Sequence, residues 1–361
     1  MSYKKIVIVA NNAAGLYLFR GMLMKRLISD GAKITALIPF GSYTDELREL
    51  GVELIETPMD RRGVNPLKDF KLLLSYFKII RKEHPDLVIT YTIKPNIYAG
   101  IVSRALKKHY VVNITGLGTA FENKGLLFYV VRKLYKIALK KAHTVFFENS
   151  DDCAVFVKNQ LVESKKTKVL NGAGVDISKF PYVKYPNNEV FSFLFIGRVM
   201  REKGVDELFQ SMKRLINDGF KCELCILGSY EENYKQTIEN YEAEGWLKYY
   251  GFQKDVKPYI SACDCFVLPS YHEGMANTNL ECASSGRPII TSNIPGCMEA
   301  VVDGSGLLCE PKDVDSLYLA MKAITEKSRD EREHMGLCGR KHMEEVFDKK
   351  KVVEETVKYL F

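Results

Sequence analysis

Residues 265–292 read CFVLPSYHEGMANTNLECASSGRPIITS. An apolar run ends at Pro-Ser-Tyr, a second β-branched run closes the stretch at 288–292, and a helical segment lies between them. Strand, helix and strand in so short a span make the unit of a parallel sheet. Two carboxylates, Glu273 and Glu281, bracket the turn from the first strand into the helix. Gly274 lets the backbone approach a ligand closely. A helix opening within 274–279 leaves N–H groups for an anion or a sugar hydroxyl, with Asn277 and Thr278 as further donors. Glu281, about one turn into the helix, points back over its N-terminus and suits a pair of hydroxyls such as a ribose offers. Glu273, on the loop, can face a reacting centre. The same spacing also suits a helix cap and a surface charge.

Outward from this stretch the pattern repeats. Strands are expected at 5–10, 33–39, 52–58, 86–92, 110–115 and 143–149, with helices at 15–29, 66–83 and 124–142 among them. A second set follows at 191–197, 221–228, 247–251, 265–270, 288–292 and 306–310. Nearly continuous apolar strands alternating with amphipathic stretches imply parallel sheets covered on both faces. The chain is therefore read as α/β, with two Rossmann-like, doubly wound domains. The join lies in the Gly-, Pro- and Asn-rich stretch 171–188, giving domains 1–175 and 186–340 and a last segment, 341–361, that returns to the first domain. Ligands of open parallel sheets bind beyond the carboxyl ends of the strands, so two such domains are expected to face a central cleft.

Composition narrows the classes. With 46% hydrophobic and 27% charged residues, and no apolar run near the length of a membrane span, the chain reads as soluble. The apolar part of MSYKKIVIVA is too short for a signal peptide and reads as a first strand. The nine cysteines are scattered. Cys222 and Cys225 stand three apart on a strand, hence on opposite faces, and reduced thiols in a cytoplasm are the simpler account. Charge is uneven: residues 1–184 hold 30 Lys+Arg against 16 Asp+Glu, and 185–361 hold 22 against 29, a net +14 and −7. The basic half suits nucleic acid, an anionic membrane or a phosphorylated substrate. No zinc-finger spacing, recognition helix or RNA-binding aromatic signature supports nucleic acid.

GRVMREKGVDEL (197–208) follows the first strand of the second half. Gly197 ends the strand, Arg198 and Lys203 follow, and Gly204 precedes a helix. A strand-to-helix turn with two cations suits an anion, Arg as a fork and Lys as a point charge. In the first half, Lys94 and Asn96 in TIKPN lie at a strand end where a diphosphate fits, and Pro95 disfavours helical geometry at Lys94. Arg20, Arg61 and Arg62 are further phosphate candidates. Arg132, Lys133, Lys136 and Lys140 share about 100° of arc on the 124–142 helix, a basic amphipathic face that suits either an anionic membrane or water. DVD at 313–315 reads as a helix N-cap rather than a metal site.

Taken together, FIGRVMREKGVDELFQSM, YGFQKDVKPYISACDCFVLPSYHEGMANTNLECASSGRPIITSNIPGCMEAVVDGSGLL and NGAGVDISKF resemble the retaining nucleotide-sugar glycosyltransferases of family four, with the GT-B fold. YTIKPNIYAG (91–100) and NITGLGTAF (113–121) resemble a bacterial subgroup that adds sugars, often N-acetylhexosamines, to polyprenyl-diphosphate-linked glycans. The resemblance implies a UDP-sugar donor as substrate, no cofactor and no metal. With such an acceptor, the basic N-terminal domain is expected to meet the anionic membrane surface, which places the chain on the cytoplasmic, inner face of the membrane. Arg198 and Lys203 match the pair on the donor diphosphate, Glu281 the carboxylate on the ribose, and Glu273 the one on the transferred sugar, beside backbone from Gly274 through Met275 and Ala276 to Asn277. Phe252 and Gln253 fall at the nucleobase pocket, and Gly15 at a loop near the leaving phosphate. Met275-Ala276 depart from the commoner Phe-Gly. Asn113-Ile114-Thr115-Gly116 stands where many relatives carry a histidine, which leaves Thr115 toward the acceptor. Alternatives are a soluble acceptor, a non-hydrolysing epimerase, or a nucleotide-sugar-binding subunit without turnover.

Overall fold

The computed structural model describes residues 4–59, 65–117 and 125–360. The chain forms two compact units, Met1–Ala173 with Lys350–Phe361, and Gly174–Lys349. The expected returning segment 341–361 is thus divided. Met343 and Phe347 bury themselves in the second unit's core, which holds the chain there through Lys349.

In the first unit, β1 (Lys5–Val9), β2 (Lys33–Ile38), β3 (Glu53–Glu56), β4 (Leu87–Tyr91), β5 (His109–Ile114), β6 (Val145–Phe147) and β7 (Thr167–Val169) form one sheet in the order β3-β2-β1-β4-β5-β6-β7. Every described pairing is parallel. The short β7 was not foreseen: three residues with two half-exposed side chains leave no apolar run to read. Helices α1 (Ala13–Ser29), α2 (Thr44–Glu49), α3 (Pro66–Glu83), α4 (Ile93–Ala105), α5 (Leu126–Leu139) and α6 (Ser150–Lys158) connect the strands. Alternation along β1 sends Ile6 and Ile8 into one core and Val7 and Val9 into the other.

The second unit repeats the plan. Strands β8 (Phe191–Ile196), β9 (Cys222–Leu227), β10 (Leu247–Tyr249), β11 (Cys265–Leu268), β12 (Ile289–Ser292) and β13 (Gly306–Cys309) take the order β10-β9-β8-β11-β12-β13. Helices α7 (Val205–Asn217), α8 (Lys235–Ala243), α9 (Lys257–Ala262), α10 (Asn277–Ser284), α11 (Val314–Glu326) and α12 (Arg329–Val346) complete it, and α13 (Lys349–Lys358) leads back to the first unit. Asp313 caps α11, its carboxylate accepting from Ser316 N at 3.0 Å. In each sheet the first strand lies between strands reached in opposite directions, and this reversal opens a crevice at the carboxyl ends of β1/β4 and of β8/β11.

Candidate active site

The second unit's crevice is built by three loops. Gly204, between the turn at Arg201–Lys203 and α7, has φ 70°, and a Cβ there would stand 2.1 Å from the Pro269 carbonyl oxygen. Only glycine allows the loops after β8 and β11 to touch backbone to backbone. Tyr271 N–H donates to the Glu202 carbonyl at 2.9 Å, a second lock between them. Together the locks set Lys203 Nζ on Glu273 Oε1, and Ser270 Oγ donates to the same oxygen at 2.8 Å. Both charged side chains are largely buried, 16% and 14% exposed, and both donors use Oε1. Behind them the buried Cys297 thiol is pushed up by burial, then by the Glu273 charge.

The third loop follows β12. A Cβ on Gly296, at φ 83°, would lie 2.6 Å from the Glu273 carbonyl oxygen, and Ala276 N–H donates to Gly296 O at 2.7 Å. This corrects the expectation of consecutive unused N–H groups through 274–277. The Met275 and Ala276 side chains belong to the core, so backbone is what they present. Asn277 begins α10 and turns its amide toward Met275 O at 3.2 Å, leaving Oδ1 buried without a hydrogen-bond partner. Glu281 sits in the second turn of α10. Surrounding protein pushes its carboxyl up to about 7, opposed by the nearby charge of Lys349.

Arg198 is exposed, its Nη1 4.0 Å from Glu231. Gly197 N–H continues the ladder to Leu227 O at 2.9 Å, and a Cβ on Gly228 would meet Gly197 O at 1.8 Å, so the ends of β8 and β9 close backbone to backbone. The Phe252 ring is 68% exposed, and Gln253 Nε2 donates to Tyr250 O at 2.6 Å. Sequence reasoning missed Ser270, whose partner is visible only once the loop folds.

The first unit redistributes its candidates. Gly15 lies in the first turn of α1, its N–H on Asn12 Oδ1 at 2.5 Å. Lys94 is helical, contrary to expectation: α4 starts at Ile93, so Pro95 falls within the first turn, where its missing N–H has no partner to lose. Lys94 Nζ bonds Asp69 of α3 at 2.7 Å. Asn96 is buried and donates to Asn113 O at 2.8 Å, so it fixes β5 to α4 rather than facing an acceptor. Arg20 is also buried, paired with Glu148 and lying over the Tyr91 ring. Thr115, half-buried, follows β5. Thr92, before α4, holds φ 73° and ψ 161°, which a β-branched residue rarely adopts. Arg61, Arg62 and the first residue of the expected 124–142 helix lie outside the described residues.

Residues 178–342 match the family model described as Glycosyl transferases group 1, and residues 5–149 that described as Glycosyl transferase 4-like. The Escherichia coli UDP-Gal:alpha-D-GlcNAc-diphosphoundecaprenol alpha-1,3-galactosyltransferase is 30% identical over 305 residues, 79% of this chain and 78% of its own. The chain belongs to the group 1, family-four glycosyltransferases. Another relative of this glycosyltransferase is the N,N'-diacetylbacillosaminyl-diphospho-undecaprenol alpha-1,3-N-acetylgalactosaminyltransferase of Campylobacter jejuni, 27% identical over 90% of both chains. Among solved structures, Anabaena HepE in complex with UDP and glucose superposes with TM-score 0.81 over 99% of each chain at 16% identity. The glycosyltransferase from Rickettsia africae gives 0.79 over 99% of this chain and 98% of its own, also at 16% identity. The fold is GT-B.

Proposed function

We propose that this glycosyltransferase moves an N-acetylhexosamine from a UDP-sugar to a polyprenyl-diphosphate-linked saccharide, with retention and without a metal, at the inner membrane face. One observation carries the reading: Lys203 and Ser270 both donate to Glu273 Oε1, which orients Oε2 to accept from a sugar hydroxyl. The relatives named above act on diphospho-undecaprenol-linked sugars, and one is named for a UDP-sugar donor.

The chemistry follows from these positions. Arg198 forks onto the donor diphosphate and Lys203 adds its charge, the work a divalent cation would otherwise do. As the bond from the sugar C1 to the phosphate oxygen breaks, a bond from C1 to the acceptor oxygen forms on the same face. The acceptor proton passes to the departing phosphate oxygen, which grows more basic as it leaves. Glu273 holds the sugar, Glu281 the ribose, and the exposed Phe252 ring lies against the base. In the first unit, Gly15, in the first turn of α1, lies toward the leaving phosphate, and Lys94 and Thr115, just after β4 and β5, take the acceptor's phosphates and sugar.

Purified enzyme is mixed with UDP-GalNAc, UDP-GlcNAc or UDP-Gal and a short-chain polyprenyl-diphosphate-linked N-acetylhexosamine, with and without EDTA. One donor yields an α-linked product by mass spectrometry and NMR, unaffected by EDTA. A β-linked product, a requirement for added cation, or conversion of donor without acceptor overturns the corresponding part of the reading.

A further inference from the structure

Helices α3 and α5 pack on either side of α4 in one layer, and their inner faces fill a shared core with Leu72, Tyr76, Ile80, Val131 and Tyr135. Their outer faces carry large apolar side chains in groups. On α3, Leu67, Phe70 and Leu74 are 76%, 59% and 41% exposed. The spacing of three and four puts them on one side of the helix. Beside them Lys71, Lys78 and Lys82 are exposed. The only acids of α3, Asp69 and Glu83, are held by lysines outside the helix, Lys94 at 2.7 Å and Lys5 at 2.9 Å. α5 has no acid at all and exposes Tyr129, Val130 and Ile137 among Lys133 and Lys136. The layer therefore shows cations and large apolar side chains, with its helical carboxylates neutralised.

We propose that the outer face of α3, extended by α5, docks on an anionic bilayer, with Leu67, Phe70 and Leu74 entering the boundary between headgroups and acyl chains. This rests on the lipid-linked acceptor proposed above. Charge complementarity decides the occupant, because lipid phosphates match a lysine border while acyl chains take the apolar stripe. The sequence pointed to the 124–142 helix for this contact; α3 carries the more exposed stripe. The Asp69–Lys94 bond ties the docking helix to the start of α4, one residue beyond the strained Thr92, so membrane contact and the acceptor loop share one rigid piece.

The full chain is sedimented with vesicles of phosphatidylglycerol and phosphatidylcholine in equal parts, and with phosphatidylcholine alone. Wild type binds the anionic vesicles, less at high salt. Leu67→Gln/Phe70→Gln/Leu74→Gln reduces partitioning at least tenfold, and Lys71→Gln/Lys78→Gln/Lys82→Gln by about fivefold per cation. Both variants keep the wild-type Tm and wild-type transfer to a water-soluble acceptor analogue. Vesicle binding equal in wild type and both variants, or absent from wild type, overturns the proposal. So does a wild-type dimer that the apolar variant dissociates, since a second copy would then cover the face. Loss of transfer to the soluble analogue in wild type counts instead against the proposed function, because that assay contains no bilayer.

Discussion

Lys203 and Glu273, 70 residues apart in sequence, meet as a largely buried ion pair because Gly204 rests on the Pro269 carbonyl and Tyr271 N–H bonds Glu202 O. The pair is a product of backbone contact between two loops. Each loop carries one half of a charge system that neither could position alone.

Removing either half is expected to be severe and non-additive. Lys203→Ala leaves the Glu273 carboxylate with the Ser270 hydroxyl and, on the proposed function, takes a cation from the donor diphosphate, lowering the transfer rate by about 10²–10³. Glu273→Gln keeps the shape and loses the charge. Because the two share one network, the double variant loses less than the product of the single losses. Initial rates at saturating donor measure this, and strictly multiplicative losses would show that the residues act independently.

Gly204→Ala tests the loop contact itself. It places a methyl 2.1 Å from a backbone oxygen that cannot swing away, at a left-handed φ. Destabilisation of at least about 3 kcal/mol is expected in urea titration. Gly219→Ala is the control: its φ is +86°, but nothing lies within 4 Å of the added carbon, so only the backbone term of about 1–2 kcal/mol applies. Equal losses would mean that the Pro269 contact contributes little.

Much of this was legible in the chain. The apolar runs announce twelve of the thirteen strands, since a buried parallel strand has no other way to be written; β7 escaped because its side chains are half-exposed. Arg198, Lys203, Glu273 and Glu281 were singled out because strand ends followed by glycine and charge are visible in one dimension, and the folded loops bring Lys203 onto Glu273. Arg20 and Asn96 were misread for the converse reason. A polar residue in a loop or early helix looks exposed until its partner, Glu148 or the Asn113 carbonyl, folds onto it from far along the sequence. Ser270 gave no signal, since a serine after a strand has many uses.

Thr92→Gly is expected to stabilise the first unit. The residue sits at φ 73° and ψ 161°, with its hydroxyl buried and unpartnered, a strain of about 1–3 kcal/mol. Glycine relieves it and gives back about 0.5–1 kcal/mol in backbone entropy. A net gain near 1 kcal/mol raises Tm, while KM for the acceptor rises as the loop before Lys94 loosens. A lower Tm would show that threonine's packing outweighs its conformation.

Glu281 gives the pH dependence a definite sign. Burial pushes its carboxyl up to about 7 despite Lys349, whereas in the unfolded chain it titrates near 4.3. Between those values the folded state binds more protons, so this group's stabilisation is full below about pH 4.5 and is lost as pH rises through 7. The span is on the order of 3 kcal/mol. Nucleotide binding runs the other way. On the proposed function, ribose hydroxyls donate to the ionised carboxylate, so UDP affinity is expected to rise from about pH 6 to about pH 8 while intrinsic stability falls. Glu281→Gln flattens both curves, since an amide neither titrates nor carries the charge. Urea titrations and calorimetry with UDP across that range separate the two effects. If only the stability curve flattens, Glu281 is a half-buried acid of the fold and the ribose rests on other groups.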